Sequence, residues 1–269
     1  VENDTLNRYI QSMCKVLRDP TLDAAFKELV LTLPSESYIA EQLDVVDPQR
    51  IHTVRQALRL QIATALQADW QWAFETHQNN GAYTPDAYSS GRRALAGMAL
   101  ANLCLASQSS SDTVWPGKTL QRFKDAGNMT DRFNALQALV NSGHALAVNA
   151  LARFHALFKD EALVLDKWFA LQAGTSDRGG QVLPAVRQLM AHPDFNLKNP
   201  NRARSVIFSF CSVAAIALKP RVWSGWSASN KWITCRHPNS LVFVMRCHTP
   251  KPFMPPLKKT SFGWRSKIW

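Results

Sequence analysis

No segment of this 269-residue chain spells a nucleotide-binding or nucleophile motif. GxGxxG, GxxxxGKS/T and GxSxG are all missing, so a dinucleotide fold, a phosphate loop and a hydrolase nucleophile elbow lack their sequence basis. HExxH is missing too, and with it the two histidines one turn apart beside a carboxylate base that a zinc peptidase carries on a helix. Cysteine is sparse: Cys14, Cys104, Cys211, Cys235 and Cys247 are odd in number and far apart. A disulfide framework is not expected from that spacing, no secretory leader is read at the start, and a reducing cytoplasm is the expected setting. The uncharged, mostly apolar run of residues 205–218 is shorter than the roughly 20 residues that cross a bilayer, so neither a span nor a membrane partner is expected.

Acidic side chains are lacking in one part of the chain only. Against 20 Asp and Glu stand 31 Lys and Arg, a net charge of +11. Residues 1–211 hold 21 of the basic and all 20 of the acidic side chains; residues 212–269 hold 10 basic, none acidic, five of the nine tryptophans and six of the fourteen prolines. Composition therefore divides a nearly neutral domain, 1–211, from a basic, Trp- and Pro-rich tail, 212–269. Basic and aromatic neighbours in the tail, such as Arg221 with Trp223 and Lys231 with Trp232, would suit single-stranded nucleic acid. Yet the tail has no regular period and no cap-and-stop pattern, which points instead to a stretch never selected to fold, as translation in a shifted frame produces. Nucleic acid is thus a disfavoured partner. Leu241 to Met245 alone reads as a short strand.

What fills residues 1–211 is helical signal. Asp47-Pro48 starts a helix, with Asp47 placed to cap the first free amides and Pro48 in the first turn, where its missing N–H is not needed. Ile51, Val54, Leu58, Ile62, Ala65 and Leu66 follow at three- and four-residue steps, the spacing of one apolar face. Thr84-Pro85 opens a second helix that should run through Leu103 and stop between Ser107 and Asp112. Thr130 is the expected cap for a helix over 131–140. Further helices are expected over 145–158, over 161–173 ending at Gly174, and over 183–191 ending before Pro193. Short amphipathic helices with brief links predict an all-α fold, a superhelical, solenoid-like stack of antiparallel helix pairs with an irregular C-terminal tail. Such folds more often bind or enclose than catalyse.

Chemistry is hard to assemble from what remains. His52, His77, His144, His155 and His192 stand singly and read as surface or core histidines, so no metal ligand is assigned. Asp160 and Glu161 are adjacent, about 100° apart on a helix, and read as helix-start charges rather than a catalytic pair. Cys235, His237, Cys247 and His248 have the chemistry of metal ligands but not the spacing of a zinc finger or knuckle.

Five stretches carry a resemblance: Leu33-Pro-Ser-Glu36, Asp44-Val-Val-Asp-Pro48, Asn128-Met-Thr-Asp131, Val164-Leu-Asp-Lys-Trp-Phe169 and Asn199-Pro-Asn-Arg-Ala-Arg-Ser205. In order and spacing they resemble the C-terminal domain of bacterial aminopeptidase N, over residues 1–211. The resemblance implies a helical domain that arches over the active site of a zinc enzyme removing N-terminal residues from peptides. It implies no cofactor in this chain, because the family's HExxH zinc site and its GxMEN loop lie upstream of anything present, and no catalytic residue. The partners it implies are that upstream catalytic domain and, for the whole enzyme, peptide substrates. One position carries over as a substrate-chamber residue, Arg204, the second arginine of the Asn-Pro-Asn-Arg-x-Arg-Ser motif, with Arg202 a weaker candidate; a helix-start arginine bridging its neighbours is the plainer alternative. After Ser212 the family's further helices do not follow. The competing function is a helical-repeat binding protein with a basic, nucleic-acid-binding tail.

Overall fold

The computed structural model describes residues 2–79, 81–110, 112–217 and the short stretches 233–235, 243–245 and 257–258. Its helices, in chain order, are α1 Glu2–Arg18, α2 Ala24–Leu31, α3 Glu36–Glu41, α4 Pro48–Ala65, α5 Gln67–Thr76, α6 Ala87–Ser110, α7 Val114–Asp125, α8 Met129–Ser142, α9 Leu146–Phe158, α10 Ala162–Ala173, α11 Val182–Met190 and α12 Pro200–Ala203. A π turn, Arg204–Phe208, leads from α12 into α13, Ser209–Ala217. The all-α stack of helix pairs expected from the sequence is the architecture.

Two compact units divide the chain. The larger holds residues 1–33 and 56–213; the smaller holds 34–55 and 214–269. In the larger unit α6 is the central element, packing against α2, α5, α7 and α8. It can do so because its buried positions are small or unbranched at Cβ: Ala96, Ala99, Leu100 and Leu103. Gly91 shows how close the approach is, since a Cβ there would lie 2.8 Å from the backbone nitrogen of Ala25 on α2. Farther along, Phe154 of α9 is fully buried, with Phe123 of α7, Phe133 of α8 and Phe158 around its ring. In the smaller unit His52 pairs with Glu36 at 2.9 Å and Arg55 donates to the Pro34 carbonyl at 2.7 Å. Its strands are short: β1 Val45–Val46 pairs antiparallel with Leu257–Lys258, and Ile233–Cys235 with Phe243–Met245, the latter inside the strand expected over 241–245.

Local signals set most helix ends. Asp47 accepts the Arg50 amide at 3.0 Å ahead of Pro48, as its position predicts. Gly143 closes α8 with φ at 68°, a conformation that glycine adopts without the clash a Cβ brings. Three expectations shift. The cap of α8 is Asn128, whose Oδ1 accepts the Asp131 amide at 2.9 Å, so the helix starts before Thr130. The cap of α6 is Asp86, accepting the Ser89 amide at 2.8 Å, while Thr84 donates its hydroxyl to Ser89. On α4 Ile51 and Ile62 are buried, as is Leu66 just past its end, and Leu58 is half-buried, but Val54 and Ala65 are exposed, because the buried stripe advances in steps of four and seven and leaves those two to one side. The tail's four-residue metal-like cluster and its basic–aromatic pairs lie outside the described residues, except for the backbone of Cys235 in its short strand.

Candidate functional site

The residues with chemistry converge where α9, α10, α11 and α12 meet. Asn199 starts α12: its Oδ1 accepts the amides of Asn201 at 3.0 Å and Arg202 at 3.3 Å, and Pro200 follows in the first turn. This cap aims Arg202 inward. Its Nε donates to Asp166 Oδ1 of α10 at 2.5 Å, Nη1 to the carbonyl of Asp194, and Nη2 to the carbonyl of Ala162 at 3.5 Å. The guanidinium carbon lies 4.9 Å from the centre of the Phe169 ring. Arg202 is thus buried and paired, joining α12 to α10 and to the connection before it.

Arg204, two residues on, opens the π turn and is exposed. Its backbone N–H donates to the carbonyls of Pro200 and Asn201, but among the described residues its side chain makes no hydrogen bond or ion pair. One motif therefore sends its first arginine into the fold and its second toward solvent.

Beside Arg202 stands a group that the sequence left scattered. His155 of α9 and His192 and Asp194 of the α11–α12 connection bring one ligand atom each to within 4.8 Å of one another. His155 Nε2 contacts Asp194 Oδ2 at 2.6 Å, and His192 Nδ1 lies 3.7 Å from the same oxygen. His192 Nδ1 accepts the Asp194 backbone N–H at 3.1 Å. The hydrogen bond from His155 holds the Asp194 carboxyl below the ordinary carboxylate range, with the charges of His155, His192 and Arg202 acting in the same direction. Trp168 walls the group, its ring centre 5.0 Å from that of His155 and 5.3 Å from that of His192, and is itself fixed by donating to the Leu151 carbonyl at 3.0 Å. No local pattern announces these three residues, because His155 and Asp194 are 39 positions apart.

Among the described residues Asp194 is the one carboxylate of the group, and the neighbouring Asp166 is committed to Arg202. Cys104 is buried against the Thr119 hydroxyl at 3.0 Å, and burial pushes its thiol up to about 11.

Known proteins place the chain. Residues 2–221 match the family described as a domain of unknown function (DUF3458_C) with ARM repeats. Aminopeptidase N of Caulobacter vibrioides is 36% identical over 206 residues, 76% of this chain and 23% of that protein. Aminopeptidase N of Escherichia coli is 33% identical over 211 residues, 78% of this chain and 23% of its own length. Among solved structures, Legionella pneumophila aminopeptidase A, crystallised with aspartic acid, superposes with a TM-score of 0.66 at 25% identity, over 77% of this chain and 24% of that one. The chain spans less than a quarter of the curated relatives it matches. It belongs to the ARM-repeat family that forms the C-terminal domain of aminopeptidase N.

Proposed function

We propose that this chain is the non-catalytic C-terminal domain of a zinc-dependent aminopeptidase, which removes N-terminal residues from peptides, and that it helps to enclose the substrate chamber. The observation that carries the reading is the register of the relatives: aminopeptidase N proteins align through some three quarters of this chain but under a quarter of themselves. The catalytic zinc and its general base belong, on this reading, to the remaining three quarters. Peptide substrates and the upstream catalytic domain are the partners, and the cytoplasm the setting.

Within the domain, Arg204 is the residue suited to meet a peptide. An exposed guanidinium with no internal partner keeps its five donors for an incoming carboxylate, whereas Arg202 is buried and directs three of its own to Asp166 and two carbonyls. The test compares a tripeptide with its C-terminal amide in the whole enzyme. Arg204→Ala should raise KM for the free acid by roughly tenfold, the order of one charge-assisted hydrogen bond, and leave the amide nearly unchanged. Equal effects on both substrates would remove Arg204 from the chamber.

A further inference from the structure

We propose that His155, His192 and Asp194 form a binding site for a divalent transition metal of the zinc class, which clips α9 to the connection between α11 and α12. The inference stands apart from the peptidase reading, since it concerns only residues of this domain. Two imidazoles and one carboxylate are a nitrogen and oxygen set that zinc accepts, and too few oxygens for calcium or magnesium.

The geometry is close to what such an ion needs. With bonds of about 2.05 Å, two ligand atoms around a tetrahedral zinc lie about 3.3 Å apart. The two separations to Asp194 Oδ2 are 2.6 Å from His155 and 3.7 Å from His192, one below and one above that spacing. Each of these two reaches it by a sub-ångström change, and all three ligand atoms lie within 4.8 Å of one another. The proton now shared between His155 Nε2 and Asp194 Oδ2 leaves as the ion enters, and His192 Nδ1 turns its lone pair from the Asp194 amide to the metal.

Electrostatics also permit a cation. Arg202 is the nearest fixed positive charge, and Asp166 at 2.5 Å neutralises it, so the Asp194 carboxylate remains for the ion. Arg202 further steadies the site by donating to the Asp194 carbonyl, and Trp168 packs along both imidazoles. The side chains of His155, His192 and Asp194 are 24%, 28% and 38% exposed, which leaves an entry path and a fourth position for water.

Zinc titration of the full chain by calorimetry tests the site, with competing ligand in the buffer to suppress weak surface binding. The expected result is saturable binding whose affinity falls by at least roughly tenfold in His155→Gln and in Asp194→Asn, each checked for an unchanged helical spectrum. Affinity that is untouched by Cys235→Ser with Cys247→Ser, and a cobalt spectrum without thiolate charge transfer, would keep the ion out of the tail. No saturable binding, or binding of full affinity in both site variants, would overturn the proposal.

Discussion

Between α5 and α8 the helices bury Ala99, Leu100 and Leu103 of α6 with Ala135, Leu136 and Leu139 of α8 in one apolar cluster, whereas α10 and α12 are joined by the buried ion pair of Arg202 with Asp166. The first region gains from water exclusion, at about 25 cal/mol per Å² of apolar surface, and tolerates any partner of suitable volume. The second depends on particular atoms. Two charges removed from water gain little net stability from each other, but removing one strands its partner at considerable cost. The apolar region therefore sets how stable the stack is, and the ionic corner sets how its last helices are seated.

Breaking each region in turn separates these roles. Phe154→Ala should have the largest effect, roughly 3–5 kcal/mol in denaturant unfolding, because the ring is fully buried among Phe123, Phe133 and Phe158. Asp166→Ala should cost roughly 3 kcal/mol by leaving the Arg202 guanidinium buried and unpaired. The comparison sharpens when Asp166→Leu is combined with Arg202→Met, which should recover most of that loss, since an apolar pair of similar volume has no stranded charge. If the double variant is no more stable than Asp166→Ala, the corner owes its stability to specific hydrogen bonds rather than to charge balance.

The smallest effect concerns acid. Asp86 accepts the Ser89 amide, the neighbouring Thr84 and Ser89 side chains act in the same direction, and its carboxyl is drawn down to about 2. A carboxylate lowered on folding leaves the unfolded chain binding more protons. Its contribution is therefore complete above the ordinary Asp value near 3.8 and disappears as pH falls through about 2. Asp86→Asn keeps a cap but loses the charge, so its melting temperature should converge on that of the wild type as pH falls through this window. A constant offset between the two at every pH would assign the effect to packing instead.

The apolar region was legible because its causes are local. Helix periodicity, Asp47-Pro48, Gly143 and Gly174 each act within a turn or two, and α4, α8, α9, α10 and α11 appear near their expected ends. Helix α7 is not among the helices expected from the sequence, and its first turn carries Trp115-Pro116-Gly117. Pro116 sits third in that helix, where its missing N–H is one of the amides without a helical partner in any case. The corner was illegible for the opposite reason. Arg202 and Asp166 are 36 positions apart, His155 and Asp194 39, and only tertiary packing brings them together. The motif around Arg202 and Arg204 could be recognised, but which of the two turns inward depends on the Asn199 cap and on Asp166 beneath it.

The central claim, that this is the non-catalytic part of an aminopeptidase, is tested most directly by offering alanyl- and leucyl-naphthylamide to the purified chain with added zinc. The account predicts no turnover above the buffer rate, even with zinc held by His155, His192 and Asp194. Zinc-dependent release of naphthylamine would contradict it, and release that survives in Asp194→Asn would put the hydrolytic centre elsewhere in the chain.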